Sequence, residues 1–286
     1  MKNYRETYVR KAEIAQLILL NQLYSLPGSR ALIFQGGTAL RWCYGGSRFS
    51  EDLDFVTPLD MDIVRAKLNR MLKVVERVMV PHFGPGALTA SEKTTRKDTL
   101  KLYVDYRPVS SREKISVKLE FEGLRKDTIP ETQNHILSAL PSVSYLIAAG
   151  DFRIPRPNTV LVAETLPEIL SDKIRALLER RYLKGRDIFD IWYLRTALNA
   201  AADKDVIERK FRMYTTWPFH ASRDLDFFAN SLSGTRDEMI RAIREDLSRF
   251  LPPEVFAVNQ SEGFASFLTA LRELFEELLK AEVKLP

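Results

Sequence analysis

Apolar side chains recur with helical spacing at the start of the chain. Val9, Ala12, Leu17, Leu20 and Leu23 predict a helix over 5–24, ended by Pro27-Gly28. Ala31-Leu32-Ile33-Phe34 is a short unbroken apolar run that suits a buried strand. Gly36-Gly37 breaks that run. Thr38 then opens a helix through Ala39, Leu40 and Trp42, which Gly45-Gly46 stops. Residues 52–56 predict a strand closed by Pro58, and 60–80 a long amphipathic helix carrying Ile63, Leu68, Leu72 and Val75. A turn is expected at 82–86. Alternation of apolar and polar residues over 100–106 and 114–122 predicts two half-buried strands. Pro130, Pro141, Pro155 and Pro157 leave 127–159 without a clear period, and 160–163 suits one more strand.

From Leu166 onward the pattern turns helical, with helices expected near 167–181, 187–198, 203–213, 235–250 and 262–281. The expected fold class is therefore α/β, in the α+β sense. A mixed-sheet domain would span 1–163 and a helical C-terminal domain 164–286. No internal repeat or low-complexity tract interrupts this plan.

Composition narrows the function. The chain has no apolar run near the roughly 20 residues of a membrane span, so no membrane partner is expected. The most apolar N-terminal stretch, Ile14 to Leu20, is short and contains Gln16, which argues against a secretory leader. A single cysteine, Cys43, excludes an internal disulfide and a cysteine-rich zinc site. The cytoplasm is the expected compartment. Forty-three basic residues against 38 acidic ones leave a net charge of +5, which permits a nucleic-acid partner without requiring one.

The order strand, Gly-Gly-Thr, helix, Asp-x-Asp strand has a chemical logic. Glycines let backbone approach a bulky anion and adopt positive φ. A helix starting there aims N–H groups and a positive dipole end at that anion, and Thr38 can cap the helix or touch a phosphate. Asp52 and Asp54, two apart on a strand, project to one side, while Leu53 and Phe55 project to the other. Adjacent carboxylates repel unless a cation lies between them, and Mg²⁺ often binds through one or two carboxylates plus substrate phosphates. A third carboxylate from a neighbouring strand would complete a two-metal clamp. Glu120 and Glu122 both qualify, and Glu120 sits deeper in its run. Gly-Gly turns and paired strand acids are each common alone. Their conjunction, with Arg48 and Ser50 between them, points to nucleotide chemistry.

Other residues say less. Lys173, on an amphipathic helix, reads by itself as a solvated charge. Asp187 and Asp190 share a helix face and read as ion-pair partners for Arg186 or Lys184. The run Arg175, Arg180, Arg181, Lys184 and Arg186 is an ordinary wet face that could also follow an RNA backbone. Arg223-Asp224-Leu225-Asp226-Phe227 echoes the Asp-x-Asp strand without a glycine turn and reads as a loop or helix start. Trp217-Pro218-Phe219 reads as core or a domain contact. His82, His135 and His220 lack metal-ligand spacing.

Two blocks resemble a known family. Gly36-Gly37-Thr38-Ala39-Leu40 followed by Arg48-Phe49-Ser50-Glu51-Asp52-Leu53-Asp54-Phe55 is similar to the AbiEii/AbiGii toxins, nucleotidyltransferases of polymerase β-like fold among which the MenT-type toxins fall. Lys173, with Arg186-Asp187-Ile188-Phe189-Asp190 after it, resembles the family's second block. The resemblance implies Mg²⁺, with Mn²⁺ as a substitute, on Asp52, Asp54 and a third carboxylate, here Glu120 or Glu122. It implies an NTP held by Gly36, Gly37, Thr38, Arg48 and Ser50, with Lys173 neutralising phosphate and Asp187, or less directly Asp190, assisting at the site. The implied reaction is attack of an acceptor hydroxyl on the α-phosphate of an NTP, with a tRNA 3′ end as acceptor, blocked translation as consequence and a cognate antitoxin as partner. The rival readings are a phosphotransferase or nucleotidyltransferase acting on a protein or small molecule, and a non-catalytic NTP-binding protein. Phosphorylation of Ser50, beside the two aspartates, would set negative charge against them and is expected to inhibit.

Overall fold

Phe34, Phe55 and Phe121 lie abreast on three neighbouring strands, and this aromatic row explains how the sheet closes over its core. The computed structural model describes residues 3–93, 96–125, 127–214, 218–230 and 233–286; Trp217 lies outside them. The chain divides into two compact units, one of residues 6–45 and 49–164, the other of residues 1–5, 46–48 and 165–286.

The first unit contains the sheet. Its strands are β1 (Ile33–Gln35), β2 (Asp52–Thr57), β3 (Gly86–Glu92), β4 (Thr99–Pro108), β5 (Ile115–Gly123), β6 (Thr132–Ile136) and β7 (Val160–Glu164). They form one seven-stranded sheet in the order β3-β4-β5-β2-β1-β7-β6. β2 runs parallel to β5 and β1 parallel to β7, and the other neighbours are antiparallel, so the sheet is mixed. Ala163, Phe34, Phe55, Phe121 and Leu100 stand in register across five strands, all buried. Phe55 stacks on Phe34 at 5.3 Å and on Phe121 at 4.8 Å between ring centroids, a geometry that adds to the area they bury.

Four helices accompany the sheet: α1 (Glu6–Tyr24), α2 (Gly36–Cys43), α3 (Met61–Phe83) and α4 (Pro141–Ala148). α1 is buried almost all round from Ile14 to Tyr24, as a helix at the centre of a core must be. It packs against α3 and β5, and Tyr24 contacts the Phe55 ring.

The second unit is helical: α5 (Leu166–Glu179), α6 (Gly185–Thr196), α7 (Lys204–Arg212), α8 (Asp226–Ala229), α9 (Ser233–Phe250), α10 (Pro253–Ser261) and α11 (Ala265–Lys280). α6 packs against α5, α9 and α11. At Gly185 an added Cβ would stand 2.4 Å from Ala242 O and Ile243 Cα, so glycine is what allows α6 and α9 to meet backbone to backbone.

The observed elements depart from the sequence pattern in four places. β3 was not anticipated, because an edge strand that is mostly exposed has no apolar alternation to announce it. β6 and α4 emerge from the stretch whose prolines hid its period. α2 begins at Gly36, two residues before Thr38. α10, a separate helix between α9 and α11 in the chain, buries no residue, so no apolar stripe marks it.

Candidate active site

The turn between β1 and α2 is built against the second aspartate of β2. Gln35 pairs in register with Asp54. Gly36 follows at φ +77°, and a Cβ there would lie 3.0 Å from Asp54 Oδ2. Any other L-residue would be strained by that φ and would press on the carboxylate. Gln35, not Thr38, takes the N-cap position of α2, and it makes no side-chain capping bond. Gly37 and Thr38 are buried, and the Thr38 hydroxyl donates to the Asp52 carbonyl, tying α2 to the start of β2. Fully buried Gln16 of α1 donates to the carbonyls of Ser50, at 2.7 Å, and Glu51, at 3.2 Å, and accepts from Trp42 Nε1 at 3.2 Å. These bonds fix the lead into β2 from both sides. Ser50 itself is half-buried.

Along β2, Asp52 and Asp54 are half-buried while Leu53 and Phe55 are buried on the opposite face. The parallel register sets Asp52 beside Lys118 and Asp54 beside Glu120, and Glu120 faces Lys101 on β4. Glu122 lies one row further on, beside Val56. The polar face thus mixes carboxylates with lysines. Lys118 Nζ is 2.7 Å from Asp52 Oδ2 and 3.4 Å from Glu120 Oε2, and Lys101 Nζ is 2.6 Å from Glu120 Oε1. Burial works against charge on Glu120, but Lys101 and Lys118 outweigh it and hold the carboxyl below its usual value. Burial likewise opposes the Lys118 ammonium, which the hydrogen bond and charge of Asp52, with Glu120 and Asp54, raise above the ordinary lysine value.

Among the described residues, no three Asp, Glu, His or Cys side chains gather as a ready-made metal cage. Asp52 and Asp54 fit the other common arrangement, two carboxylates whose remaining partners are substrate phosphates and water. Glu120 lies next in the row with its oxygens on two lysines.

The second block forms a separate ionic cluster within the helical unit. Arg48 grips Asp190 through two bonds of 2.6 Å. Lys173 of α5 reaches Asp190 at 2.9 Å and Asp187 at 3.2 Å, and Arg180 bonds the other oxygen of Asp187. Asp187 and Asp190 are almost completely buried. Burial alone would raise both carboxyls. Arg180, Lys173 and Arg186 instead hold Asp187 well below the usual carboxylate range, and Arg48 and Lys173 hold Asp190 below its ordinary value.

A family model matches residues 18–257, and its description is the nucleotidyl transferase AbiEii toxin of a type IV toxin–antitoxin system. The chain belongs to the AbiEii family. Among solved structures it is similar to a candidate nucleotidyltransferase from H. pylori, with TM-score 0.55 and 19% identity over 97% of this chain and 98% of that one. It is also similar to JHP933 from Helicobacter pylori, with TM-score 0.57 and 18% identity over 98% and 96%. At these identities the likeness is one of fold. No curated protein matches the chain.

The AbiEii chain therefore carries residues that sequence reasoning singled out and others that it missed. Asp52, Asp54 and Glu120 share one sheet face with Gly36 beside them, whereas Arg48, Lys173, Asp187 and Asp190 meet in the helical unit. Lys118, Lys101, Gln16 and Arg180 were not anticipated as partners. The alternation that picked out Glu120 also places Lys118 on its face, but its pairing with Asp52 depends on register between strands some 60 residues apart. Gln16 gave only the weak signal of an amide inside an apolar helix. Among the described residues, no helix is long and apolar enough to cross a membrane.

Proposed function

We propose that this AbiEii protein transfers a nucleoside monophosphate from an NTP to the terminal hydroxyl of an RNA, with a tRNA 3′ end as the acceptor and blocked translation as the outcome. The observation that carries this reading is the polar row itself. Two half-buried aspartates project from β2, and a glycine whose φ and lack of Cβ keep backbone close lies against Asp54. The N-terminus of α2 and Gly36-Gly37 would receive triphosphate oxygens. Asp52 and Asp54 would hold Mg²⁺, which when bound offsets charge on the phosphates and lowers the pKa of an attacking hydroxyl. Thr38 and Gln16 contribute indirectly, by fixing the backbone that aims both carboxylates. The expected partners are NTP, an RNA acceptor and a cognate antitoxin protein.

The test is a transfer assay with total tRNA, Mg²⁺ and each labelled NTP in turn, run beside Asp52→Ala. Label on tRNA that disappears in the variant is the expected result and names the nucleotide. Label on a protein or small molecule instead would overturn the acceptor. NTP binding without transfer to anything would overturn the enzymatic reading.

A further inference from the structure

The carboxylate face already contains a cation of its own. Lys118 Nζ lies 2.7 Å from Asp52 Oδ2, on the oxygen set that a divalent ion would need. The two side chains are about a quarter exposed, 22% and 28%, so water screens their attraction only in part. Lys118 also has a second anchor at hand, since Glu120 Oε2 is 3.4 Å from the same ammonium. Glu120 is shared with Lys101, and so three carboxylates, Asp52, Asp54 and Glu120, face two ammonium groups. A dication bound there without its nucleotide would add its charge to that of the two ammonium groups.

We propose that Lys118 is a built-in counter-cation that competes with divalent metal for Asp52 and so couples metal loading to nucleotide binding. This rests on the reading of Asp52 and Asp54 as the metal-holding pair. Without nucleotide, Lys118 occupies Asp52 and keeps the neighbouring aspartates compatible. A metal ion entering alone must displace the ammonium and then sit within a few ångströms of it, with both cations repelling. A triphosphate arriving with the metal brings the missing negative charge, and the displaced Lys118 moves toward Glu120 or a phosphate oxygen. Lys118 is thus a positioning residue that acts through Asp52. Its effect is to keep the site from filling with bare metal.

Mn²⁺ binding to the full chain without nucleotide, followed through the electron paramagnetic resonance signal of free Mn²⁺, tests this directly. Lys118→Met is expected to bind Mn²⁺ about tenfold more tightly than wild type, since removing a neighbouring charge that opposes the ion is worth at least ~1.4 kcal/mol at this range. Lys118→Arg, which keeps the charge, should stay near wild type. Lys118→Gln serves as a second neutral variant should the Met protein fail to fold. Unchanged or weaker Mn²⁺ binding in the folded neutral variants would overturn the proposal, provided that Asp52→Asn in the same background abolishes binding. If Asp52→Asn leaves Mn²⁺ binding intact, the metal reading of Asp52 is what fails.

Discussion

Two ionic clusters in this protein use the same residue types to opposite ends. On the sheet face, Asp52, Asp54, Glu120, Lys101 and Lys118 are partly open to water and carry more acids than bases. In the helical unit, Asp187 and Asp190 are buried and meet three cations, Arg48, Lys173 and Arg180. Removing one partner from a dry network leaves another charge buried and unanswered, which is strongly destabilising. Removing one from a half-wet face lets water take its place, so stability changes little. The open cluster can exchange an ammonium for a metal or phosphate at modest cost. The closed one holds helices α5 and α6 and the 46–48 segment in place.

The largest expected effect separates the two directly. Asp54→Asn should reduce nucleotide transfer by about 1000-fold, several kcal/mol in the barrier, while unfolding free energy stays within about 1 kcal/mol of wild type. Asp190→Ala should do the reverse in kind, lowering unfolding free energy by about 3–5 kcal/mol. Urea melts and transfer rates on both proteins check this. A stable Asp190→Ala protein would show that Arg48 and Lys173 find water or other partners without it.

A smaller effect is expected at the glycine turn. Gly36→Ala adds a Cβ at φ +77° and 3.0 Å from Asp54 Oδ2. The φ alone should cost about 1–2 kcal/mol, and displacement of the carboxylate should slow transfer as well. If the variant matched wild type in both unfolding and transfer, the close approach of this turn to Asp54 would have no functional meaning.

The smallest effect sharpens the contrast through pH. Burial disfavours charge on Asp187 and Asp190, yet the surrounding cations hold both pKa values below the usual one. A carboxylate with a depressed folded-state pKa stabilises fully above its unfolded value, about 3.9, and this contribution is lost as pH falls through the folded value. Wild type should therefore lose stability more steeply than Asp190→Asn as pH drops below about 4. Denaturation series at stepped pH measure the two slopes, and parallel slopes would mean that the cluster titrates with no net linkage to folding.

Much of the fold was legible because its signals are local. Phe55 alternating with Asp54 announces a one-sided strand, and Gly36-Gly37 announces a turn, whatever lies around them. β3 left no such signal, since an exposed edge strand is held by backbone pairing to β4 that places no demand on its side chains. The aspartate pair was legible for the same local reason, as residues two apart on a strand share a face. That Glu120 stands beside Asp54 and Glu122 beside Val56 was not, because only the β2–β5 register sets those neighbours.

The sequence by itself determined the α+β class, the order strand–glycine turn–helix–aspartate strand and the membership of the AbiEii family. All three are written in short-range patterns of residue type. Only the tertiary structure decided that Asp52 is answered by Lys118, that Glu120 is shared with Lys101 and that Lys173 is held between Asp187 and Asp190. The physical reason is that charges act through space. Which cation meets which carboxylate depends on strand register and helix packing between segments far apart in the chain, and spacing along the sequence does not encode those distances.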